Sequence, residues 1–367
     1  MTKLKEKILL MGVLTLLTMP TMADGILRVV PFNAVAGTTS DDAACFEIEM
    51  TNSEIVWGFQ FEMLLPEGMT LDTTYDPFEL NEDRFPYTED RKHNKTFDHS
   101  IQYNQLEDGW IRVMVFATDA ETRISENEGV VLYAYYLTSE SMPTGVYPID
   151  IRAAKMAITP TESIIPAPAQ TAVAVEGQSK MDITFTLTDA GWGTLMLPFD
   201  AAVPTGLTAY SCEEVTDDVL QLQPQESIVS GVPYVMGGKA GNYTFQGIPE
   251  VEIEEPVCGQ LRGTYLNNSI EEGYVLQNGD LGIAFYRVNA EKPVTVPAWH
   301  CSLAPQTGTQ ASMLRMGDTT GIMPLTMQQE DHCYGLDGIR MTATNTGEVF
   351  IMNGKKYLKF NSSANAQ

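Results

Sequence analysis

Residues 55 to 71 read Ile55-Val-Trp-Gly-Phe-Gln-Phe-Glu-Met-Leu-Leu-Pro-Glu-Gly-Met-Thr-Leu71. Over residues 56–64 the side chains alternate. Trp57, Phe59, Phe61 and Met63 take one face, and Gly58, Gln60 and Glu62 the other. A period of two is the mark of a strand with one buried face. Pro66-Glu67-Gly68 then turns the chain, because proline presets φ and glycine tolerates a positive one. The same alternation recurs on both sides of this stretch. Residues 26–30 and 44–50 read as strands before it, and 111–116 and 147–151 after it. In 44–50, Phe46, Ile48 and Met50 share one face, which leaves Cys45 on the other with Glu47 and Glu49. Residues 130–137 are apolar on both faces and predict a central strand. Residues 72–108 form a long polar excursion with one strand near 100–103. No amphipathic helix interrupts the series. Seven or more short strands at hairpin spacing predict an all-β chain beginning with a β-sandwich.

The chain has 367 residues with 22 Lys+Arg against 48 Asp+Glu, a net charge of −26. At roughly 150 residues per domain this length predicts two domains, each able to bury a core. A hydrophobic share of 44% marks a globular chain rather than a disordered one. The acidity disfavours nucleic acid as a partner, since a negative body repels phosphate, and likewise an anionic membrane face. Residues 1–23 read as a secretory signal: Lys3, Lys5 and Lys7, an apolar run from Ile8 to Leu17, then Thr21-Met22-Ala23 before a cleavage point at Asp24. That run is shorter than the ~20 residues of a spanning helix. Removing those three lysines and Glu6 takes the charge from −26 to −28.

Beyond the first sandwich, assigned to residues 24–175, the segment 159–180 carries Pro160, Pro166 and Pro168 and reads as a linker, with 171–175 as a strand inside it. A second β-rich domain is expected over 176–336, with strands at 181–187, 194–197, 234–236, 243–245, 281–287 and 294–296. Residues 305–335 are turn-rich. A C-terminal hairpin is expected over 337–367, from two short strands at 349–352 and 357–360 around Asn353-Gly354.

The candidate chemistry is sparse. His300-Cys301 and His332-Cys333 carry zinc-type ligands, but neighbours on a strand point to opposite faces, and a Cys301–Cys333 disulfide is the rival reading. The pairing of Cys212, Cys258, Cys301 and Cys333 stays open, and Cys45 is expected to be unpaired. Asp119, Glu121, Glu126 and Glu128 form one acidic loop and Asp41-Asp42 another; such loops hold calcium or are simply solvated. The four histidines, His93, His99, His300 and His332, sit in no triad context, and there is no nucleophile elbow or phosphate loop. Trp57, Trp110, Trp192 and Trp299 are candidates for a sugar platform, with burial in the core as the favoured reading and Trp57 the clearest core member. Asp72-Thr73-Thr74 and Asp318-Thr319-Thr320 are short glycosylation-like tripeptides of low specificity.

Residues 26–175 resemble a cohesin-like domain. The resemblance rests on the ordered succession of Ile55–Leu71, Gly109-Trp-Ile-Arg-Val-Met-Val-Phe116, Ile124-Ser-Glu-Asn-Glu-Gly-Val-Val-Leu132 and Thr144-Gly-Val-Tyr-Pro-Ile-Asp-Ile151. It implies an Ig-related sandwich that binds a protein module through one sheet face, or serves as a spacer. The second half resembles β-rich regions of exported Bacteroidetes proteins through Gly191-Trp-Gly-Thr-Leu-Met-Leu-Pro-Phe-Asp200, Gly231-Val-Pro-Tyr-Val235, Leu261-Arg-Gly-Thr-Tyr265 and Gly273-Tyr-Val-Leu-Gln277. The tail resembles a shortened sorting segment of the same bacteria. The expectation is an exported, non-catalytic protein, outside the cell or in the periplasm, that binds a protein partner without a cofactor; the alternative is a carbohydrate-binding protein.

Overall fold

The computed structural model describes residues 25–117, 122–252, 254–279, 281–306 and 311–318, together with the backbone of Cys333–Tyr334, Arg340–Met341, Val349–Met352 and Lys355–Leu358. The expected signal peptide, Asp119, Glu121, His332 and the side chain of Cys333 lie outside them, and with them the four-ligand zinc reading and half of the first acidic loop. The described chain is all-β apart from one 3-10 turn at Ser40–Asp42. Among the described residues no helix is long and apolar enough to cross a membrane.

The first fourteen strands are β1 (Gly25–Val29), β2 (Phe32–Val35), β3 (Cys45–Asn52), β4 (Gly58–Leu64), β5 (Met69–Leu71), β6 (Phe78–Leu80), β7 (Tyr87–Glu89), β8 (Lys95–Phe97), β9 (His99–Gln105), β10 (Ile111–Ala117), β11 (Val130–Thr138), β12 (Gly145–Ala157), β13 (Ser163–Ile164) and β14 (Ala169–Glu176). Two facing sheets take most of them. The smaller runs β1-β3-β11-β5, with β6 also on β11; the larger runs β2-β14-β12-β4-β10-β9, with β13 on β12. β7 and β8 form a separate hairpin. The chain changes sheets at Pro31, which has no N–H to continue a ladder. Before it β1 pairs antiparallel with β3; after it β2 pairs parallel with β14.

Alternation decides which side chains fill the sandwich. Phe46, Ile48 and Met50 of β3 meet Phe59, Phe61 and Met63 of β4, Val113 and Val115 of β10, and Ile149 and Ile151 of β12, all buried. Each such side chain contributes about 1.5–3 kcal/mol on leaving water. Cys45 falls on the outer side and is exposed, as the alternation requires.

Three expectations need correction. Residues 169–176 are no linker: β14 lies between β12 and β2 within the large sheet, because Thr171, Val173 and Val175 alternate inward while Pro168 merely precedes the strand. Trp57 precedes β4 rather than joining its buried face, and all four tryptophans are only half-buried. β11 is central in its sheet, but Tyr133 and Tyr135 on its outer side stay partly in water, so it is not buried on both faces.

Beyond β14 a ten-stranded sheet runs, in spatial order, through Trp192–Met196, Pro233–Gly238, Leu207–Thr216, Val219–Gln225, Met313–Asp318, Gly282–Arg287, Tyr274–Gly279, Cys301–Leu303, Leu261–Gly263 and Val257–Cys258. Met181–Leu187 pairs with Gly241–Gly247 alongside. Two clusters fill this region, one around Phe185, Leu197 and Met236, the other around Cys212, Phe285 and Leu303. A third cluster joins the two halves of the chain. Ala172 and Ala174, on the outer side of β14, meet Met196, Val251 and Tyr265, and Asn33 of β2 exchanges two hydrogen bonds with the Val251 main chain (2.9 and 3.3 Å). Near the C-terminus Val349–Met352 pairs antiparallel with Lys355–Leu358, Met352 opposite Lys355, at the hairpin the Asn353-Gly354 pair signalled.

Candidate partner-binding face

The outer side of the large sheet presents three cross-strand rows over β10, β4 and β12. The first is Arg112-Glu62-Arg152, the second Met114-Gln60-Lys155, the third Phe116-Gly58-Ala157. A bulge between Arg152 and Lys155 keeps both cations outward. Ala153 takes φ 52 there, and the inserted residue restores the side-chain phase.

Glu62 anchors the first row. It is buried, with 6% exposure, and would be costly there without partners. Arg112 donates to Oε1 from Nε (3.0 Å) and Nη2 (2.5 Å), and Arg152 donates from Nε to Oε2 (2.8 Å). The Arg112 guanidinium first, and Arg152 second, hold the Glu62 carboxyl below the usual carboxylate range against its desolvation. Arg152 also donates to Asp108 Oδ2 (2.8 Å) and lies flat over Trp110, its Cζ 3.8 Å from the ring centroid. Trp110 is placed by the turn at Gly109, which sits at φ 86. The first row and its end at Trp110 therefore form a strip in which two guanidiniums, two carboxylates and an indole fix one another.

The third row opens into a recess of about 310 Å3, walled by Trp57, Met114, Phe116, Lys155, Thr159 and Pro160. Its floor is Gly58, where a Cβ would come within 2.5 Å of the Val115 carbonyl oxygen. Trp57 is held upright by Arg123, whose Cζ lies 3.7 Å from its ring centroid. Met114 is 37% exposed. Arg112, Arg123, Arg152 and Lys155 thus stand with Glu62, Asp108 and, one outward position further along β12, Asp150, which leaves one net positive charge on this part of a strongly acidic body.

The opposite side of the sandwich has the reverse character. A recess of about 450 Å3 is lined by Ser40, Asp72, Tyr75, Asp76, Glu79 and Tyr135, with no cation among its walls. Tyr135 donates to Glu79 Oε2 (2.7 Å), and that carboxylate pushes the phenol up to about 12. Asp72 accepts from Ser40 Oγ (3.0 Å) and the Thr74 amide (2.9 Å); the Thr74 amide is the larger influence holding its carboxyl low.

The remaining candidates separate. His300 is half-buried, its Nδ1 3.1 Å from the Thr194 hydroxyl, and its removal from water lowers its pKa. His93 lies on the surface beside Glu89, and His99 is buried against Phe85 with Nε2 3.1 Å from the Trp57 carbonyl. Cys45, Cys212, Cys258 and Cys301 are unbonded, and among the described residues no group of His, Cys, Asp or Glu is arranged to hold a metal. The sequence placed Gly58, Gln60 and Glu62 on the solvent side but gave them no task. Arg112, Arg152 and Lys155 were missed because only strand register brings the two arginines beside Glu62 and Lys155 beside Gln60. The available signal was a cation at the outward phase of two otherwise apolar strands.

No protein-family model and no curated protein matches the chain. Among solved structures it is similar to cohesin modules. The non-cellulosomal cohesin of Archaeoglobus fulgidus shares 11% identity at a TM-score of 0.30, over 42% of this chain and 94% of that one. The type I cohesin of a cohesin–dockerin complex from Clostridium thermocellum shares 14% at 0.31, over 43% and 99%. A Clostridium acetobutylicum cohesin in solution shares 15% at 0.33, over 43% and 94%.

Proposed function

We propose that this chain is an exported, non-catalytic binding protein, and that its sandwich docks a protein partner on the outer side of β12, β4 and β10. The carrying observation is the preorganised strip, flanked by Lys155 and Arg123 and set beside an apolar recess, on a chain of net charge −26. Charge complementarity selects the occupant: a partner segment that presents carboxylates to Lys155 and the guanidiniums, and one apolar side chain to the recess beside Met114. Opposed charges speed encounter, and a buried apolar anchor slows release. Fixing Arg112, Arg152 and Trp110 beforehand removes much of the ordering cost of association.

A photo-crosslinker at Met114 of the full chain, presented to surface and medium extracts of the source organism, tests the reading. Capture of one protein through an acidic segment, weakened several-fold by Lys155→Glu and by high salt, is expected. Capture indifferent to both would refute the charge argument, and no crosslink under any condition would refute the face.

The alternative reading, carbohydrate binding, draws on the second recess, where Tyr75 and Tyr135 stand beside hydrogen-bond acceptors suited to sugar hydroxyls. It loses the tryptophan platform, because Trp57 and Trp110 already carry arginines. A glycan array probed with wild type and Tyr75→Ala decides it: binding lost in the variant supports it, and no glycan retained sinks it.

A further inference from the structure

Three of the four second-half cysteines meet in one part of the ten-stranded sheet. Cys212 and Cys301 are core members, and Cys258 lies half-buried at the edge. Register removes one of the three possible pairs. Cys258 stands opposite Leu261, which stands opposite Leu303, while Cys301 pairs with Gly263. Cys258 and Cys301 are therefore two strand spacings apart, roughly 10 Å before the two-residue offset is added. That exceeds the ~7 Å between α-carbons that a disulfide spans. Thiol contacts do not separate the pairs that remain, since Cys301 is directed at the Tyr234 carbonyl (3.7 Å) and Cys212 at the Glu214 carbonyl (3.5 Å).

Cys212 and Cys258 are placed differently. The chain just after Cys258 runs directly against Cys212. A Cβ on Gly259 would fall 2.2 Å from the Cys212 carbonyl oxygen and 2.8 Å from the Glu213 α-carbon, and Gly259 takes φ 56 to fit. The Gln260 amide donates to that same Cys212 oxygen at 3.0 Å. The main chains on either side of the two sulfurs are thus already in contact. Burial pushes the Cys258 thiol up, Glu213 adds to it, and the Cys212 amide pulls it back. Burial likewise pushes Cys212 up to about 12, with Cys258 as the next influence.

We infer that Cys212 and Cys258 are a disulfide-forming pair, closed by thiol–disulfide exchange with a small or protein disulfide in an oxidising compartment. The half-buried Cys258 thiolate attacks the donor disulfide and releases one donor thiol. The Cys212 thiolate then attacks the Cys258 sulfur of the mixed disulfide and releases the second. Two cysteine protons leave, the donor gains two electrons, and one protein S–S bond forms. The bond ties the strand Leu207–Thr216 to the far edge strand Val257–Cys258 and closes a loop of about 45 residues, long enough to constrain the unfolded chain strongly.

The test uses the full chain in native buffer with oxidised glutathione, followed by alkylation, digestion and mass spectrometry, with no denaturant before alkylation. A peptide joining Cys212 to Cys258, with Cys301 alkylated only after unfolding, is the expected result. A rise in melting temperature that reductant reverses in wild type, and that is absent in the double variant Cys212→Ser with Cys258→Ser, supports it further. Free thiols at both positions, a bridge to Cys301, or glutathione retained on Cys258 without transfer to Cys212 would each overturn the assignment. The mapping on wild type stands even if the double variant folds poorly.

Discussion

Replacing Glu62 by Gln removes the charge at the centre of the strip and keeps its volume. In the native protein Glu62 accepts three hydrogen bonds from two guanidiniums while its side chain is 8% exposed. Hydrogen bonds to charged groups are worth about 1.5–3 kcal/mol. Loss of one partner from a buried pair costs about 3–5 kcal/mol, because the remaining charge is stranded. Arg112 and Arg152 are 49% and 40% exposed, so water takes over much of their solvation and the lower range applies. The glutamine still accepts one bond. The expected loss is therefore about 2 kcal/mol at neutral pH, which lowers the melting temperature of a unit of this size by roughly 4–8 °C. The pH dependence gives an independent check. The folded pKa of Glu62 lies below its unfolded value, so its contribution is present in full above the ordinary glutamate pKa, near 4.3, and disappears as pH falls through the folded value. Urea unfolding of both proteins from pH 7 down to pH 3 should show a constant gap that closes only at the acid end. A gap under about 0.5 kcal/mol at pH 7, or one that widens on acidification, would refute the account of the strip.

Two further substitutions probe the frame. Arg84 is 2% exposed and donates to the Ser125, Gly129 and Glu126 carbonyls (2.6, 2.9 and 3.4 Å), stapling the loop before β11. Arg84→Met should cost about 1.5–3 kcal/mol by removing the hydrogen bonds of a buried guanidinium to these carbonyls, read as a lower urea midpoint, with faster hydrogen exchange confined to residues 124–131. Ala174→Asp places a charge in the cluster joining the two halves. It should speed proteolysis near residues 176–181 and reduce the melting temperature by several degrees, unless that contact contributes nothing to stability.

Most of the sandwich was legible because its inward positions are large and apolar at a strict period of two. Phe46-Ile48-Met50 and Phe59-Phe61-Met63 could be read directly, and both faced inward. The misses have local causes. The strand Leu207–Thr216 carries Ser211, Glu213 and Glu214, and its partner Val219–Gln225 alternates with glutamines, so the apolar signal is diluted. They are joined by Asp217-Asp218, both at positive φ (51 and 59), a tight hairpin turn made without the glycine that usually announces one. Of β14 only residues 171–175 were legible as a strand; the prolines before it, and Ala172 and Ala174, too small to signal burial alone, let it read as part of a linker. The binding face was the least legible part. A row such as Arg112-Glu62-Arg152 spans residues 62 to 152 and exists only once three strands are in register.

The placement of the second half bears on which surface remains for a partner. It covers the large sheet at β2 and β14, where alanines allow Met196 and Val251 to approach and Asn33 pins the main chain. The strip begins one strand further on, at β12, and extends away from that contact to β10. The large sheet is thus divided. One part is apolar, small-residued and already occupied; the other is cationic, with its charges fixed by one another and Lys155 left reaching outward. The two halves of the chain would therefore present the strip as one body, and a partner touching Lys155 would lie beside the second half without displacing it. Crosslinks from Met114 should then reach the partner alone, whereas crosslinks from Val146, at the margin of the shared cluster, should return to the second half of the same chain. Equal partner crosslinking from both positions would mean that the contact opens on binding.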